Sequence, residues 1–403
     1  MTCKICHHLS ATSVRCFKNC PMRYYYRYIK RVTPALESEA QRFGTNWHTI
    51  MEILGLTPGT ECPSCVPGIA TEMDLPDIEC SLCDKTRIVP EDRLAAATRY
   101  MNQMYAVVPP GKTDVEWETE KVRLLYAAIA YTRYYKDQPL NVLGNEVAFS
   151  LPLKRNGRAV RGFQMVGKID KLLHIPERTK VQILDHKATS HNINDVRFWS
   201  RFNMDVQTRF YPYALAEMAR QGEYDLAGHG IEVLIDAFHK PQTGPKKLTQ
   251  GESKKFVETG EYCGQKFEVH YVTGEAGIIW KVNGKAAEVE PGAKEGTFAI
   301  RETPEMYGAR MLMDISAEQQ NYFVRRAIPR TDRELTQFGD ELVGIASTIR
   351  QFEKFNLWYR NEDQCESTYK CDYIDICYEG VDVDREEPIP GFIRKGCVHN
   401  DKV

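Results

Sequence analysis

Asp185-His-Lys187 ends the strand-like run Val181-Gln-Ile-Leu-Asp185, and Gly167-Lys-Ile-Asp170 lies one hairpin before it. Side chains alternate across a strand, so a lysine two residues after an acid shares its face. Two acids on neighbouring strands and such a lysine suit phosphodiester hydrolysis. Hard Mg²⁺ or Mn²⁺ takes carboxylate and carbonyl oxygens and offsets charge on the scissile phosphate, while the lysine orients or helps deprotonate the attacking water. Asp-x-Lys alone is a weak signal, because such a triplet is usually the exposed end of a strand.

The cysteines form the second chemical group. Cys62-Pro-Ser-Cys65 and Cys80-Ser-Leu-Cys83 have the double Cys-x₂-Cys spacing that holds a tetrahedral Zn²⁺, and four sulfurs leave no position for water, so the site is read as structural. Cys365, Cys371 and Cys377 recur at even spacing near the other end. Met1-Thr-Cys-Lys-Ile-Cys-His-His lacks the apolar core of a secretory signal, and a cytoplasmic protein is expected. In that compartment 13 cysteines point to metal ligation rather than disulfides. Cys3 and Cys6 make half a site to which no metal is assigned, and Cys263 and Cys397 are read as free thiols.

These groups need elements to hold them. A helix is expected from Ser10 or Ser13 through the aromatic-basic segment toward Thr33-Pro34, and a short second one carrying His48 and ending near Gly55. Thr57 to Pro90, rich in Pro, Gly and Cys, reads as an insertion held by metal. Helical patterns resume from about Glu91 to Lys136; strands follow at Glu146 to Leu153, Phe163 to Leu173 and Val181 to Asp185. A helix over Asp205 to Arg220, a strand from Ile231, a small β region from Gly251 to Glu302 and a helix over Asp332 to Asn356 complete the pattern. The expected division is 1–56 N-terminal helices, 57–90 zinc-knuckle insertion, 91–240 core, 241–315 β insertion and 316–403 C-terminal helix and cysteine tail.

At 42% hydrophobic and 27% charged, the 403-residue chain has the composition of a folded protein rather than a disordered one. It contains no run of about 18 apolar residues, so no membrane span is expected. A formal charge of −2 means that binding of nucleic acid must be local. Arg15, Lys18, Arg23, Arg27, Lys30 and Arg31 alternate with tyrosines, which suits phosphate contact with stacking and equally suits a solvated basic helix face.

In order along the chain, Gly44-x-x-x-His48, Gly167-x-x-Asp170, Asp185-x-Lys187 and Gln207-x-x-x-Tyr211 resemble the motifs of RecB-like nucleases, a branch of the PD-(D/E)XK superfamily. Ser10-x-x-Ser13-Val-x-x-Phe17-x-x-Cys20-Pro21-x-Arg23 is similar to their N-terminal helix. The resemblance implies an α/β fold with a restriction-endonuclease-like mixed sheet. It implies Asp170, Asp185, His48 and the His186 carbonyl as Mg or Mn ligands, Lys187 beside the water, and Gln207 and Tyr211 positioning the strand. Glu146 stands between a water-mediated metal contact and a surface role. Arg23, Arg27 and Tyr211 are the expected DNA contacts.

The same resemblance implies a [4Fe–4S] cluster on Cys20, Cys365, Cys371 and Cys377, with Zn²⁺ as the alternative and Cys16 as a rival to Cys20. Thr368 departs from the commoner Cys-x₂-Cys-x₅-Cys arrangement. The implied activity is that of a DNA exonuclease acting on ends or single strands in recombination, repair, replication or CRISPR adaptation. The alternatives are a catalytically silent DNA-binding scaffold and a site-specific endonuclease. No Gly-x₄-Gly-Lys-Ser/Thr motif is present, so a helicase or recombination partner would be a separate chain.

Overall fold

Asp170 and Asp185 lie on two strands of one mixed sheet. Its strands are β1 (His7–Leu9), β2 (Val142–Arg155), β3 (Arg158–Ile175), β4 (Lys180–Thr189), β5 (Gly230–His239) and β6 (Phe323–Pro329). The computed structural model describes residues 7–65, 80–175, 180–224, 226, 230–274, 277–367, 370–385 and 387–395. Cys3, Cys6, Thr368 and Cys397 lie outside them. Among the described residues, no helix is long and apolar enough to cross a membrane.

β2 and β3 form a long hairpin whose turn, Asn156-Gly157, has both residues at positive φ, as tight two-residue turns require. β1 runs parallel to β3 at Phe163–Met165, and β4 pairs antiparallel with β3 only from Lys171↔Leu184 to Ile175↔Lys180. β4 and β5 are parallel along their whole length, and β6 closes the sheet antiparallel to β5. Parallel neighbours need a crossover, and the chain between β4 and β5 makes it with a helix.

The flanking helices are α1 (Ala11–Asn19), α2 (Glu39–Gly55), α3 (Arg93–Met104), α4 (Asp114–Tyr134), α5 (Gln207–Arg220), α6 (Pro304–Ala317) and α7 (Asp332–Phe355). One apolar core joins α1, α5 and α7 to sheet residues such as Val181 and Ile183. A second joins α2, α3, α4 and α6 to Phe238 and Phe323. Capping boxes start α2 at Ser38 with Gln41 and α7 at Thr331 with Glu334, each cap contributing about 1 kcal/mol.

Several expectations need correction. The first helix stops at Asn19: Cys20 is extended (φ −157, ψ 110) because Pro21 disfavours helical geometry in the residue before it. A short Pro21–Tyr24 helix and a π turn at Tyr25–Ile29 follow the break. α2 is a full 17-residue helix rather than a short one. The segment from 241 to 315 is only partly β. It opens with a Gln250–Thr259 helix and small hairpins, and its end belongs to α6, which packs on α4. Gly308 permits that approach, since an added Cβ would come within 2.7 Å of Val122 and 2.6 Å of Tyr126. In the segment from 316 the expected helix, α7, covers one face, and β6, which precedes it, completes the sheet.

The cysteine insertion rests on α3. Arg99 donates to the carbonyls of Ser81 (3.1 Å) and Leu82 (3.0 Å), and Cys62 and Leu82 join the second core. The C-terminal segment returns to the N-terminal one: Phe392–Arg394 pairs with Val32–Pro34, and the Tyr373 hydroxyl donates to the Val32 carbonyl at 2.8 Å.

Candidate active site

β3 and β4 separate where the motif acids stand. Their last paired residues are Lys171 and Leu184; beyond them, the freed N–H of His186 donates to Oδ2 of Asp170 at 3.0 Å, so the splay leaves that amide paired. Asp185 is 1% exposed. Lys187 Nζ lies 2.8 Å from its Oδ2 and 3.1 Å from its Oδ1.

α5 closes the other side of this pair. Gln207 accepts from Lys187 at 2.8 Å, donates to Asp185 Oδ1 at 2.9 Å and reaches the Tyr211 hydroxyl at 3.2 Å. Gln207 and Tyr211 are one turn apart and share a helix face. The start of α5 is anchored in turn, because Asp205 accepts the Gln207 N–H at 2.8 Å and pairs with Arg15 of α1 at 2.5 Å. Gly167 leaves room for the rings above it: an added Cβ would stand 2.6 Å from Phe149 and 3.4 Å from Tyr211.

His48 approaches from α2, its Nδ1 3.1 Å from Asp170 Oδ2. Burial opposes charge on His48, yet the Asp170 hydrogen bond and carboxylate raise its pKa. Burial also opposes ionisation of Asp170, but the His48 hydrogen bond and the charges of His48 and His186 hold its carboxyl well below the usual range. Asp185 shifts the other way, raised by burial and by Asp170 against the pull of Lys187.

The His186 side chain points to the opposite face, as alternation along β4 requires. Its Nδ1 is 3.1 Å from Asp236 Oδ2 and its Nε2 3.0 Å from Lys171 Nζ. Burial, aided by the Lys171 charge, lowers its pKa to about 4, so the ring is neutral near pH 7. Tyr131 donates to Asp236 at 2.5 Å, and Arg325 donates to Tyr131 at 2.8 Å. Sequence reading missed this network and the Arg15–Asp205 anchor, since their members lie far apart in the chain and carry no motif.

Glu146 sits opposite Asp170, between the pairs Asn145↔Lys171 and Val147↔Ile169, with a left-handed backbone (φ 53) and an ion pair to Lys168. A non-glycine residue held there stores strain of about 1–3 kcal/mol. Arg23 and Arg27 are half-buried, Arg27 over the Tyr28 ring. Arg23 lies 3.4 Å from Asp372, and the neighbouring Tyr24 and Tyr26 are buried against Trp358 and Tyr373, because the rings gain more by packing than by exposure.

A profile of the PD-(D/E)XK nuclease superfamily matches residues 8–378. The chain belongs to that superfamily. No curated protein matches it. In this PD-(D/E)XK protein, the matched span runs from β1 through the sheet to the residue after Cys377.

The donors at the splay fit a hard divalent ion. Asp185 Oδ2 is buried and, although within ion-pair range of Lys187, has no aligned hydrogen bond, which leaves a carboxylate lone pair available. Asp170 and His48 supply an oxygen and a nitrogen beside it. Among the described residues, these three do not close into a single group within 4.8 Å; Asp170 leans to His48 and Asp185 to Lys187.

Cys62, Cys65, Cys80 and Cys83 do close, all four sulfurs within 4.8 Å of one another. Metal–sulfur bonds of about 2.3 Å give a tetrahedral edge of about 3.8 Å. The Cys62–Cys80 and Cys65–Cys83 separations are 3.8 and 3.5 Å, so this group fits one metal ion. The tail cysteines gather more loosely. Among the described residues they form no group of three sulfurs within 4.8 Å of one another, although Cys371 and Cys377 lie against one small core.

Proposed function

We propose that this protein is a Mg²⁺- or Mn²⁺-dependent deoxyribonuclease of RecB-like type that removes nucleotides from DNA ends or single strands. The splay at Asp170 and Asp185, with Lys187 held between Asp185 and Gln207, carries this reading. When bound, the ion offsets phosphate charge and lowers the pKa of a coordinated water. Asp170, Asp185, His48 and the His186 carbonyl would hold it. Lys187 holds the water, and Gln207 with Tyr211 seats the strand. A silent scaffold has no need of this arrangement. Incubating the protein with end-labelled single- and double-stranded DNA, linear and circular, with Mg²⁺ or Mn²⁺ tests the reading; no cleavage of any substrate overturns it. Cleavage of closed circles would instead favour an endonuclease.

The assigned work is in recombination, repair, replication or CRISPR adaptation in the cytoplasm, with any helicase supplied by a separate chain. Gln207→Ala and Tyr211→Ala should slow single-turnover cleavage by roughly 10–100-fold while the ion is retained, since these side chains act around the ligands rather than as ligands. Titration of bound Mn²⁺ checks this. Loss of the ion in either variant would place α5 among the ligands.

The Cys62 group is assigned a structural Zn²⁺. Cys62→Ser together with Cys80→Ser should release one zinc per chain and expose the insertion to protease, because zinc binding and folding of such a segment are one equilibrium. Unchanged zinc content in the double variant would refute the site.

A further inference from the structure

Behind the catalytic strand lies a cavity of about 550 Å³ that the nuclease reading does not use. Its floor is Lys171 and His186. Each adjoins motif residues in the chain, but alternation turns it to the opposite face from Asp170, Asp185 and Lys187. Arg93, Lys136 and Arg325 also line the cavity, and none of its described lining residues is acidic. The volume lies within the roughly 300–1,000 Å³ of small-ligand sites.

Two of these cations are held by neutral acceptors. Lys171 is 4% exposed, and its Nζ is held by the Met51 carbonyl at 2.9 Å and by His186 at 3.0 Å, neither of them anionic. Arg93 gives Nη1 to the carbonyls of Leu54 (2.9 Å) and Leu56 (3.0 Å). Of the carboxylates that act on Lys171, Asp170 is engaged by His48, Asp236 by Tyr131 and Arg325, and Glu146 by Lys168, with Glu52 the fourth. Burying cations against neutral acceptors costs free energy that a bound anion recovers. Lys136, its side chain 71% exposed and its Nζ 3.8 Å from Asp137, stands at the mouth, while Tyr135, Pro139 and Leu140 offer an apolar wall.

We propose that this cavity binds a phosphate-bearing nucleotide, its phosphate toward Lys171 and Arg93 and its base against the apolar wall. The site is distinct from the metal-binding face and does not depend on the chain cutting DNA. The ligand sits against the side chains of Lys171 and His186, whose backbones continue into Asp170, Asp185 and Lys187. Occupancy would therefore bear on the catalytic carboxylates from behind.

Calorimetric titration of the full chain without added divalent ion tests this with deoxyadenosine monophosphate, deoxyadenosine and inorganic phosphate. The monophosphate should bind at one site, more tightly than phosphate, and the nucleoside should not bind. Lys136→Glu should weaken binding by roughly tenfold, equivalent to about 1.4 kcal/mol, and leave basal cleavage unchanged. Lys171→Met should weaken it further, and Lys136→Glu keeps the test decisive if that buried variant fails to fold. Asp185→Asn should still bind. The proposal is overturned if no phosphate compound binds, if phosphate alone binds as tightly as the nucleotide, or if Asp185→Asn abolishes binding while Lys136→Glu does not.

Discussion

Asp185→Asn should lower DNA cleavage by about a thousandfold or more with the fold intact. The amide keeps the size of the carboxyl and a carbonyl oxygen, and Lys187 retains Gln207, 2.8 Å away. What is lost is the negative charge that binds a divalent ion, and ion-assisted activation of water contributes several kcal/mol. Asp170→Asn should behave alike, its amide oxygen still accepting from the His186 N–H. Lys187→Ala acts differently: it removes a proton-handling group worth roughly 10²–10⁴-fold while the ligands remain. Calorimetric Mn²⁺ titration therefore separates the variants, with affinity reduced in the two aspartate variants and kept in Lys187→Ala. Cleavage within tenfold of wild type in Asp185→Asn would remove the assignment of this site.

The parts of the site legible in the sequence are those that share one strand or helix face. Asp185 and Lys187 are two apart on β4, and Gln207 and Tyr211 four apart on α5, so fixed periodicities place each pair on one side. The double Cys-x₂-Cys spacing was readable for a similar reason, because ligand chemistry constrains it locally. Asp236, Tyr131 and Arg325 were not readable, since their meeting beneath His186 depends on β5, α4 and β6 coming together. The helix at the end of the 241–315 segment was not readable for the same reason. Pro304 to Ala317 becomes part of the second core only by packing on α4. Gly44 belongs to a matched motif, but an added Cβ there would meet nothing within 4 Å, and nothing in the structure explains it.

The break at Cys20 bears on the tail. Pro21 holds Cys20 extended, outside both flanking helices, and the Asn361 amide, which donates to the Asn19 carbonyl at 2.7 Å, brings the tail to this break. Cys16, one turn earlier, is partly buried against the main sheet core, whereas Cys371 and Cys377 pack with Tyr26 and Tyr373 in a separate small core. We propose Cys20, Cys365, Cys371 and Cys377 as ligands of a [4Fe–4S] cluster, a group larger than one ion and suited to four thiolates more widely spaced than those of Cys62 and its partners. Protein prepared without oxygen should then be brown. Cys20→Ala and Cys371→Ala should each bleach it, and Cys16→Ala should not. A link joining residues so distant in the chain restrains the unfolded state by roughly 5–6 kcal/mol at most on the loop-closure estimate. Tyr373 and the Phe392–Arg394 strand keep part of that restraint when the cluster is lost. The melting temperature of the bleached variants should therefore fall by a few degrees, about 7 °C at most, without global unfolding. Zinc without iron in a colourless anaerobic preparation would make the tie a zinc site, and colour that survives Cys20→Ala but not Cys16→Ala would move the ligand one turn back along α1.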